Sequence, residues 1–500
     1  MEQLKSYITQ SLPIHNYSMN FCKVDLHDQS SLASLIKTNH GVLLTEWIYA
    51  ETTGHFIWSV LYLIQSDLYC LQSELNFKSP YIMDLSHTYP VSNRLHRTIY
   101  ELYAIPTVHS NDTRPWLNHG HFPIGILNQP FNQTQEHYSF IKVSGQGVHE
   151  IPVGPVHAGI IEPGHFRFSV VGERILKLEE RLGYTHKGIH KLLMNASLEK
   201  AHQLMGRISG DSTVAYAYAF AKACEQVKGV TPHPSIQLER NICLERERLS
   251  NHIGDIGAII NDCAMPSLQS SFTILKEQLL RKNYEYSGHR YLMDCIKPFN
   301  SERLFTQKQF NNMDDELNLI QDSLTSLKKI VDNHFGLQDR LCTTGIITPE
   351  QAQYLGLLGL ASKASNIDND LRRLIENNNI ITPCIDQQGD VAARVNVRFK
   401  ECFESIQLIM DYSRQIELNS FLNETQTQTI NPIGFGLVEG WRGPITVIVY
   451  LKDNHVSWCH FHDPSWQNWL ALEYAVHNNI VADFPLINKS FNLSYSGHDS

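Results

Sequence analysis

Polar and apolar positions change their rhythm three times along the chain. Gly41 to Tyr49 and His55 to Ile64 are β-prone, nearly unbroken apolar runs that read as buried strands, with turn-forming residues gathered from Pro106 to Pro123. This predicts a small α/β unit over roughly the first 125 residues. Gln129 to Glu150 is polar and fits a linker, placing a boundary near 145. Past Gly154, Phe166 to Val171 and Arg174 to Leu178 flank Gly172-Glu173, a hairpin pattern. Helical periods then cover 185–205, 211–228, 232–263, 312–335 and 390–418; in the last, Val391, Val395, Phe399, Cys402, Ile406 and Ile409 fall on one face. Gly434 to Val438, Ile445 to Leu451 and Val456 to Phe461 form a second β-prone section, followed by a helix near 466–477 and an irregular tail. The expected class is α+β: residues 1–130 as one domain, 131–150 as linker, and 151–500 as a mainly helical domain with a β-hairpin at its start and a β-section near its end.

The 500 residues, 42% of them hydrophobic, supply ample core for several domains. A formal charge of −10 argues against nucleic acid as the main partner. The longest apolar stretches, such as Pro444 to Leu451, are far shorter than the roughly 20 residues of a membrane span, and the opening MEQLKSYITQ lacks a secretory pattern. The ten cysteines are scattered with no CxxC pair, which disfavours both a disulfide framework and a local cysteine metal site. No GxGxxG fingerprint is present either.

The informative segments are Gly154-Pro155-Val156-His157, Glu162 to Arg167 (EPGHFR), Arg181 to Gly188 (RLGYTHKG), and the row Arg240, Glu245, Arg248, His252. With them go Asp370-Leu371-Arg372, Asp390 to Phe399 (DVAARVNVRF), Gly434 to Gly443 (GFGLVEGWRG), Asp463-Pro464-Ser465 and Asp483 to Gly497. In this order they resemble the large subunit of energy-converting (group 4, formate hydrogenlyase-type) nickel-iron hydrogenases and the homologous 49-kDa subunit of respiratory complex I. Tyr100 to Tyr103 (YELY) and His109 to Leu117 (HSNDTRPWL) are similar to the 30-kDa subunit of complex I, so the resemblance implies a fusion of a 30-kDa-like and a 49-kDa-like part in one chain.

One departure stands out. The hydrogenase family holds its metals with four thiolates in RxCGxC and DPCxxC; the matching segments read Arg207 to Ser212 (RISGDS) and Asp463 to Asn468 (DPSWQN). Ser209, Ser212, Ser465 and Asn468 stand at the ligand positions that the resemblance implies. Neutral hydroxyls and an amide do not replace soft bridging thiolates, so a working hydrogenase is not expected.

The resemblance to complex I implies instead a quinone in the former metal cavity. Glu162, His165 and Tyr216 are then the candidate catalytic groups, because quinone reduction takes up two protons. His157, Arg207, Tyr218 and Arg442 are candidate binding groups. The chain would bind no cofactor of its own, with iron–sulfur clusters and any NADH or flavin in partner subunits. Implied partners are a small iron–sulfur subunit, antiporter-like and proton-channel membrane subunits, and quinone; the implied place is the cytoplasmic face of the inner membrane, peripheral. The alternative is a non-catalytic structural or coupling subunit. Plainer readings stand beside these: the two histidines satisfying backbone groups at the hairpin, the serines capping helices, the Arg240 to His252 row and its charged neighbours pairing as buried ions, and Trp458, Trp466 and Trp469 as packing.

Overall fold

The computed structural model describes the chain except residues 1, 15–16, 51–54, 129, 131–137, 158–160, 301, 375–380, 417–424 and 427–431. The first unit is a five-stranded sheet built from β1 (Ile8–Ile14), β2 (Tyr17–Lys23), β3 (Val42–Ala50), β4 (Phe56–Ile64) and β5 (Asp67–Leu75), with α1 (Gln29–Thr38) and α2 (Val91–Tyr103). Strand order is β1-β2-β5-β4-β3, with only the β2/β5 pair parallel. The two apolar runs are β3 and β4, and both are buried along most of their length.

A three-stranded antiparallel meander follows: β6 (Val148–Val153), β7 (His165–Val171) and β8 (Arg174–Arg181). The expected hairpin is thus present, and a third strand precedes it. That strand begins inside the segment read as linker. Residues 131–137 lie outside the described residues, but the rest of the segment is tied down: the Tyr138 hydroxyl donates to Glu179 Oε1 at 2.9 Å and the Ile141 N–H to Glu179 Oε2 at 2.8 Å.

The stretch 185–205 is two helices, not one. α3 (Ile189–Leu193) stops before Asn195, whose backbone is left-handed at φ 60°. A two-residue strand, β9 (Ala196–Ser197), intervenes, and Ser197 then caps α4 (Leu198–Met205) by accepting the Lys200 N–H. Asparagine tolerates the left-handed region and serine competes for backbone donors, so the break is local chemistry. α5 (Thr213–Lys228), α6 (Pro234–Asp262), α8 (Gln307–Asn333) and α10 (Val391–Gln415) fall where the helical periods predict, with α9 (Gly359–Lys363) between the last two. Helix α7 (Pro266–Ser287) was not anticipated, although Leu268, Phe272, Leu275, Leu279 and Tyr286 bury one face behind a proline in its first turn.

The closing sheet, ordered β9-β12-β11-β10, uses β10 (Ile433–Glu439), β11 (Pro444–Lys452) and β12 (His455–His462). Helix α5 lies directly on it. A Cβ added at Gly434 or Gly436 would sit 2.0 or 1.7 Å from the Ala223 or Ala219 carbonyl oxygen, so GFG is glycine-bearing because helix and strand backbones nearly touch. After α11 (Ser465–Ala475), the supposedly irregular tail forms α12 (Phe484–Phe491) and α13 (Tyr495–Asp499), and the latter is buried throughout.

Helix α6 is enclosed on nearly all sides and carries charges where a core helix would be apolar. Each charge has a partner: Arg240 with Glu225 (2.7 Å), Arg246 with Glu316 (2.8 Å), Arg248 with Glu245 (3.0 Å), His252 with Glu401 (2.6 Å) and Arg398 with Asp255 (3.2 Å). The buried-ion reading of this row holds, and Lys363 joins it between Asp370 (2.6 Å) and Glu401 (2.7 Å). Burying these charges is tolerable because most of them are paired, although His252 Nδ1 and one Glu439 oxygen have no hydrogen-bond partner among the described residues.

The first unit packs closely on the rest. Tyr49 stacks on Tyr450 at 3.8 Å, Thr45 Oγ1 and His460 Nε2 are 2.7 Å apart, and Gln467 donates to the Leu43 and Leu44 carbonyls. One apolar cluster combines Met19, Leu44, Trp47 and Leu61 with Phe435, Leu437, Ile448 and Trp458. Among the described residues no helix is long and apolar enough to cross a membrane.

Candidate functional site

The turn before α5 and the turn before α11 are more than 200 residues apart in sequence, and the fold brings them together. The Tyr216 hydroxyl on α5 donates to Asp463 Oδ2 at 2.8 Å. Ser494, from the tail, joins the two turns: its hydroxyl lies 2.8 Å from Ser209 Oγ, and its N–H donates to Ser465 Oγ at 3.0 Å. Arg442 enters from the β10–β11 turn, bonding Asp211 through both terminal nitrogens (2.9 and 2.6 Å), Ser212 Oγ at 3.2 Å and the Asn492 carbonyl at 2.6 Å. Its guanidinium also lies 3.8 Å from the centre of the Trp441 ring.

Asn468 is oriented to a different partner. Its Oδ1 accepts the Leu358 N–H and its Nδ2 donates to the Leu358 carbonyl, both at 3.0 Å, as a neighbouring strand would. Ser209, Ser212, Ser465 and Asn468 are all at most 3% exposed. The space bounded by Leu360, Ala361, Arg398, Trp441, Arg442, Asn468, Phe491 and Leu493 is too tight to admit a water molecule.

The serines do not cap helices as the plainer reading expects. Ser212 occupies the N-cap of α5 but makes no capping bond. The Val214 and Ala215 N–H groups instead donate to Glu247 of α6, at 2.7 and 3.1 Å. The Glu247 carboxyl offers one oxygen to each donor, and burial pushes its pKa up to about 8, so near neutral pH it accepts these bonds largely as a neutral group. At the second turn Asp463 Oδ1 accepts the Ser465 N–H, leaving the serine hydroxyl free to hold the tail.

The electrostatics fit a closed site. Burial would raise the Asp211 carboxyl, but the Arg442 charge and its hydrogen bonds, with the Ser209 hydroxyl, hold it down to about 2. Burial, with Asp463 beside it, pushes the Tyr216 phenol well above its ordinary range, so the phenol keeps its proton and serves as a fixed donor. Soft, multiply charged thiolates are what hold nickel and iron; here the oxygens and the amide are neutral and already engaged. Among the described residues no group of three or more His, Cys, Asp or Glu could hold a metal ion. The residues at these positions do not fit the metal pair.

The remaining candidates divide by location. His165 opens β7, with Nδ1 3.3 Å from the Gly154 carbonyl and Nε2 accepting from Arg167 at 3.4 Å; burial lowers its proton affinity. His157 packs 5.6 Å from the Phe166 ring, and its Nε2 is buried without a partner among the described residues. Burial lowers its affinity for a proton as well. Glu162 is exposed and accepts the Ser496 N–H at 3.1 Å, so hairpin and tail adjoin. Lys187 reaches the Arg207 and Ile208 carbonyls, fastening the 184–188 loop to the first turn.

Arg207 and Tyr218 point elsewhere. The Arg207 side chain is exposed and forms a two-bond pair with Asp294 at 2.7 and 2.6 Å. Tyr218, about 200° around the helix from Tyr216, donates to Asn241 Oδ1 at 3.1 Å. Ser494 and Leu358 were missed by sequence reasoning; a serine two residues after Asn492 gave no signal beyond the tail motif, and Leu358 contributes only backbone.

Residues 271–434 match the family described as "Respiratory-chain NADH dehydrogenase, 49 Kd subunit". Hydrogenase-4 component G of Escherichia coli (strain K12) is 27% identical over 372 residues, 73% of this chain and 64% of the relative. The chain is similar to complex I 49-kDa and hydrogenase large subunits. Formate hydrogenlyase subunit 5 of the same organism is 26% identical, covering 73% of this chain and 65% of the relative, and an NADH-quinone oxidoreductase subunit of Syntrophobacter fumaroxidans is 22% identical, covering 69% and 94%. The chain spans just under two thirds of the length of the two Escherichia coli relatives. The 271–434 match contains Leu358 and the Asp370 to Arg398 network, while the two serine-bearing turns lie outside it.

Proposed function

We propose that this chain is a peripheral subunit of a membrane-bound respiratory or energy-converting oxidoreductase complex, in which the former metal cavity is sealed and serves structure and coupling. One observation carries the reading: Ser209, Ser212, Ser465 and Asn468, the positions where the resemblance to hydrogenases implies thiolates, are held by Ser494, Arg442 and Leu358, and the space beside Asn468 and Arg442 admits no water. The similarity to hydrogenase and NADH-quinone oxidoreductase subunits supports complex membership. In this reading the first unit is the 30-kDa-like part, electrons pass through iron–sulfur clusters of a partner subunit, and NADH or flavin chemistry, where used, belongs to other chains. Antiporter-like and proton-channel membrane subunits complete the assembly on the cytoplasmic face of the inner membrane.

A second reading keeps a quinone, placed at the hairpin and not in the old cavity. The unpartnered His157 Nε2 favours it, together with Val156 (78% exposed), Ile161 (42%) and Tyr184 (38%), apolar surface around a hydrogen-bonding imidazole. There His157 and His165 would face the headgroup and Glu162 would sit on the proton path, whereas Tyr216 is committed to Asp463.

A tagged chain isolated from membranes distinguishes these. Copurification with a small iron–sulfur subunit and membrane subunits, without nickel by metal analysis, is the expected result. Recovery of the chain alone, or with nickel, would defeat the main reading. A photoreactive quinone that labels residues 154–165 would establish the second reading over the first.

A further inference from the structure

A partly open chamber of about 40 Å³ lies where the first unit meets the rest, bounded by β3 and α2 on one side and α3, β12 and α11 on the other. It adjoins the second serine-bearing turn through Trp466, and Trp47, Tyr103, His190, His460, His462 and Ser500 are among its other walls. Most polar groups there have partners. His460 faces Thr45 at 2.7 Å, His462 Nε2 lies 3.0 Å from Gln467 Oε1, the Trp458 indole donates to the Tyr103 hydroxyl at 3.3 Å, and Glu46 holds His96 at 2.9 Å and Ser92.

Three wall residues are left unsatisfied. Trp47 Nε1, His190 Nδ1 and Ser500 Oγ are buried with no partner among the described residues; Trp47 and Ser500 are 2% and 4% exposed, and the His190 residue as a whole is half-buried. A buried polar atom left alone costs roughly 1–3 kcal/mol, and native proteins ordinarily satisfy such atoms with internal water where room exists.

We propose that this chamber binds a cluster of two or three water molecules, which bridges the first unit to the second through the Trp47 indole, the His190 imidazole and the Ser500 hydroxyl. The volume suits that number, since one water needs about 10–15 Å³ of such space. It is too small for a quinone ring. Ion binding is disfavoured by the walls: burial lowers the proton affinity of His190 to about 3 and of His462 to about 4, and lowers that of His460 well below the ordinary range, so all three are neutral. The seam between the units is therefore wet at its centre, with aromatic packing around it, as in the Tyr49–Tyr450 and Trp47–His460 stacks.

A crystal structure of the purified complex at a resolution that shows ordered water, followed by the same crystals under xenon, tests this. Two or three solvent peaks in hydrogen-bonding reach of His190 Nδ1, Ser500 Oγ or Trp47 Nε1, with no xenon in the chamber, are expected. An empty chamber, a xenon peak, or an ordered organic molecule would overturn it. Ser500→Ala, which leaves the walls otherwise intact, should lose the peak nearest residue 500; an unchanged set of peaks would overturn the assignment of that hydroxyl as a ligand.

Discussion

The bond pair between Asn468 and Leu358 closes one corner of the proposed sealed site, and Asn468→Ala would open it. Both groups are about 1% exposed, so truncation leaves the Leu358 N–H without a partner and without water, while its carbonyl keeps only the bond that opens α9. At about 1–3 kcal/mol for a buried orphan, with some relaxation toward the vacated space, the loss should be about 1–3 kcal/mol. Urea titration followed by circular dichroism, comparing transition midpoints, measures it. Asn468→Asp retains an acceptor for the N–H but turns a second oxygen on the Leu358 carbonyl, so it should lose at least as much. Asn468→Cys, which puts a thiol where the resemblance to hydrogenases implies a ligand, should also lose stability and still bind no nickel, since Ser209, Ser212 and Ser465 are unchanged. A loss below about 0.5 kcal/mol for Asn468→Ala would mean that water or a ligand satisfies Leu358 and that the site is open, contrary to the sealed reading.

Other substitutions probe the supports of that site. Lys363→Met leaves Asp370 and Glu401 facing each other in the interior; breaking a buried ion cluster costs about 3–5 kcal/mol, read as loss of folded protein or faster proteolysis. Gly436→Ala places a methyl 1.7 Å from the Ala219 carbonyl, so α5 must lift from β10, at a cost of about 1–3 kcal/mol, seen in thermal unfolding. A pH effect comes from Glu439, whose carboxyl burial and the nearby Asp370 charge push up to about 8, while one of its oxygens has no bonding partner. Between the unfolded value of 4.5 and about 8 the folded state keeps a proton that the unfolded chain has released. Stability should therefore fall as pH rises through that window, and Glu439→Gln should flatten the slope.

Legibility in the sequence followed the range of the interactions. β3, β4, the hairpin, α5, α6, α8, α10 and the closing sheet were readable because their periods are local and strong. The break at Asn195 and helix α13 were not, since each depends on a few polar residues whose partners lie far along the chain: Ser197 beside β12, Asp499 accepting from Thr185. At the candidate site, the sequence pointed to the four substituted positions, to Arg442 and to Tyr216. It could not show that Ser494 would bridge the two turns, because a bridging hydroxyl has no periodicity. Arg207, adjacent to one motif, faces Asp294 because that aspartate arrives from a loop 87 residues later.

The manner of filling bears on how such a scaffold keeps its shape without metals. In a metal-bearing relative, four thiolates from two distant turns would be drawn together by the ions, and removing them would leave four polar stubs facing a void. Here each position is tied to something else: Ser209 and Ser465 to the tail through Ser494, Ser212 to the Arg442–Asp211 pair, Asn468 to Leu358. The ties recruit the tail and the β10–β11 turn. Disturbance at the old site is therefore expected to propagate along the tail to Glu162 and the hairpin, through the Ser496 N–H that Glu162 accepts. Backbone hydrogen exchange tests the direction of this coupling: Ser494→Ala should release protection at 494–499 and at 162–165 together, while a change confined to 494–499 would show that hairpin and tail are merely neighbours.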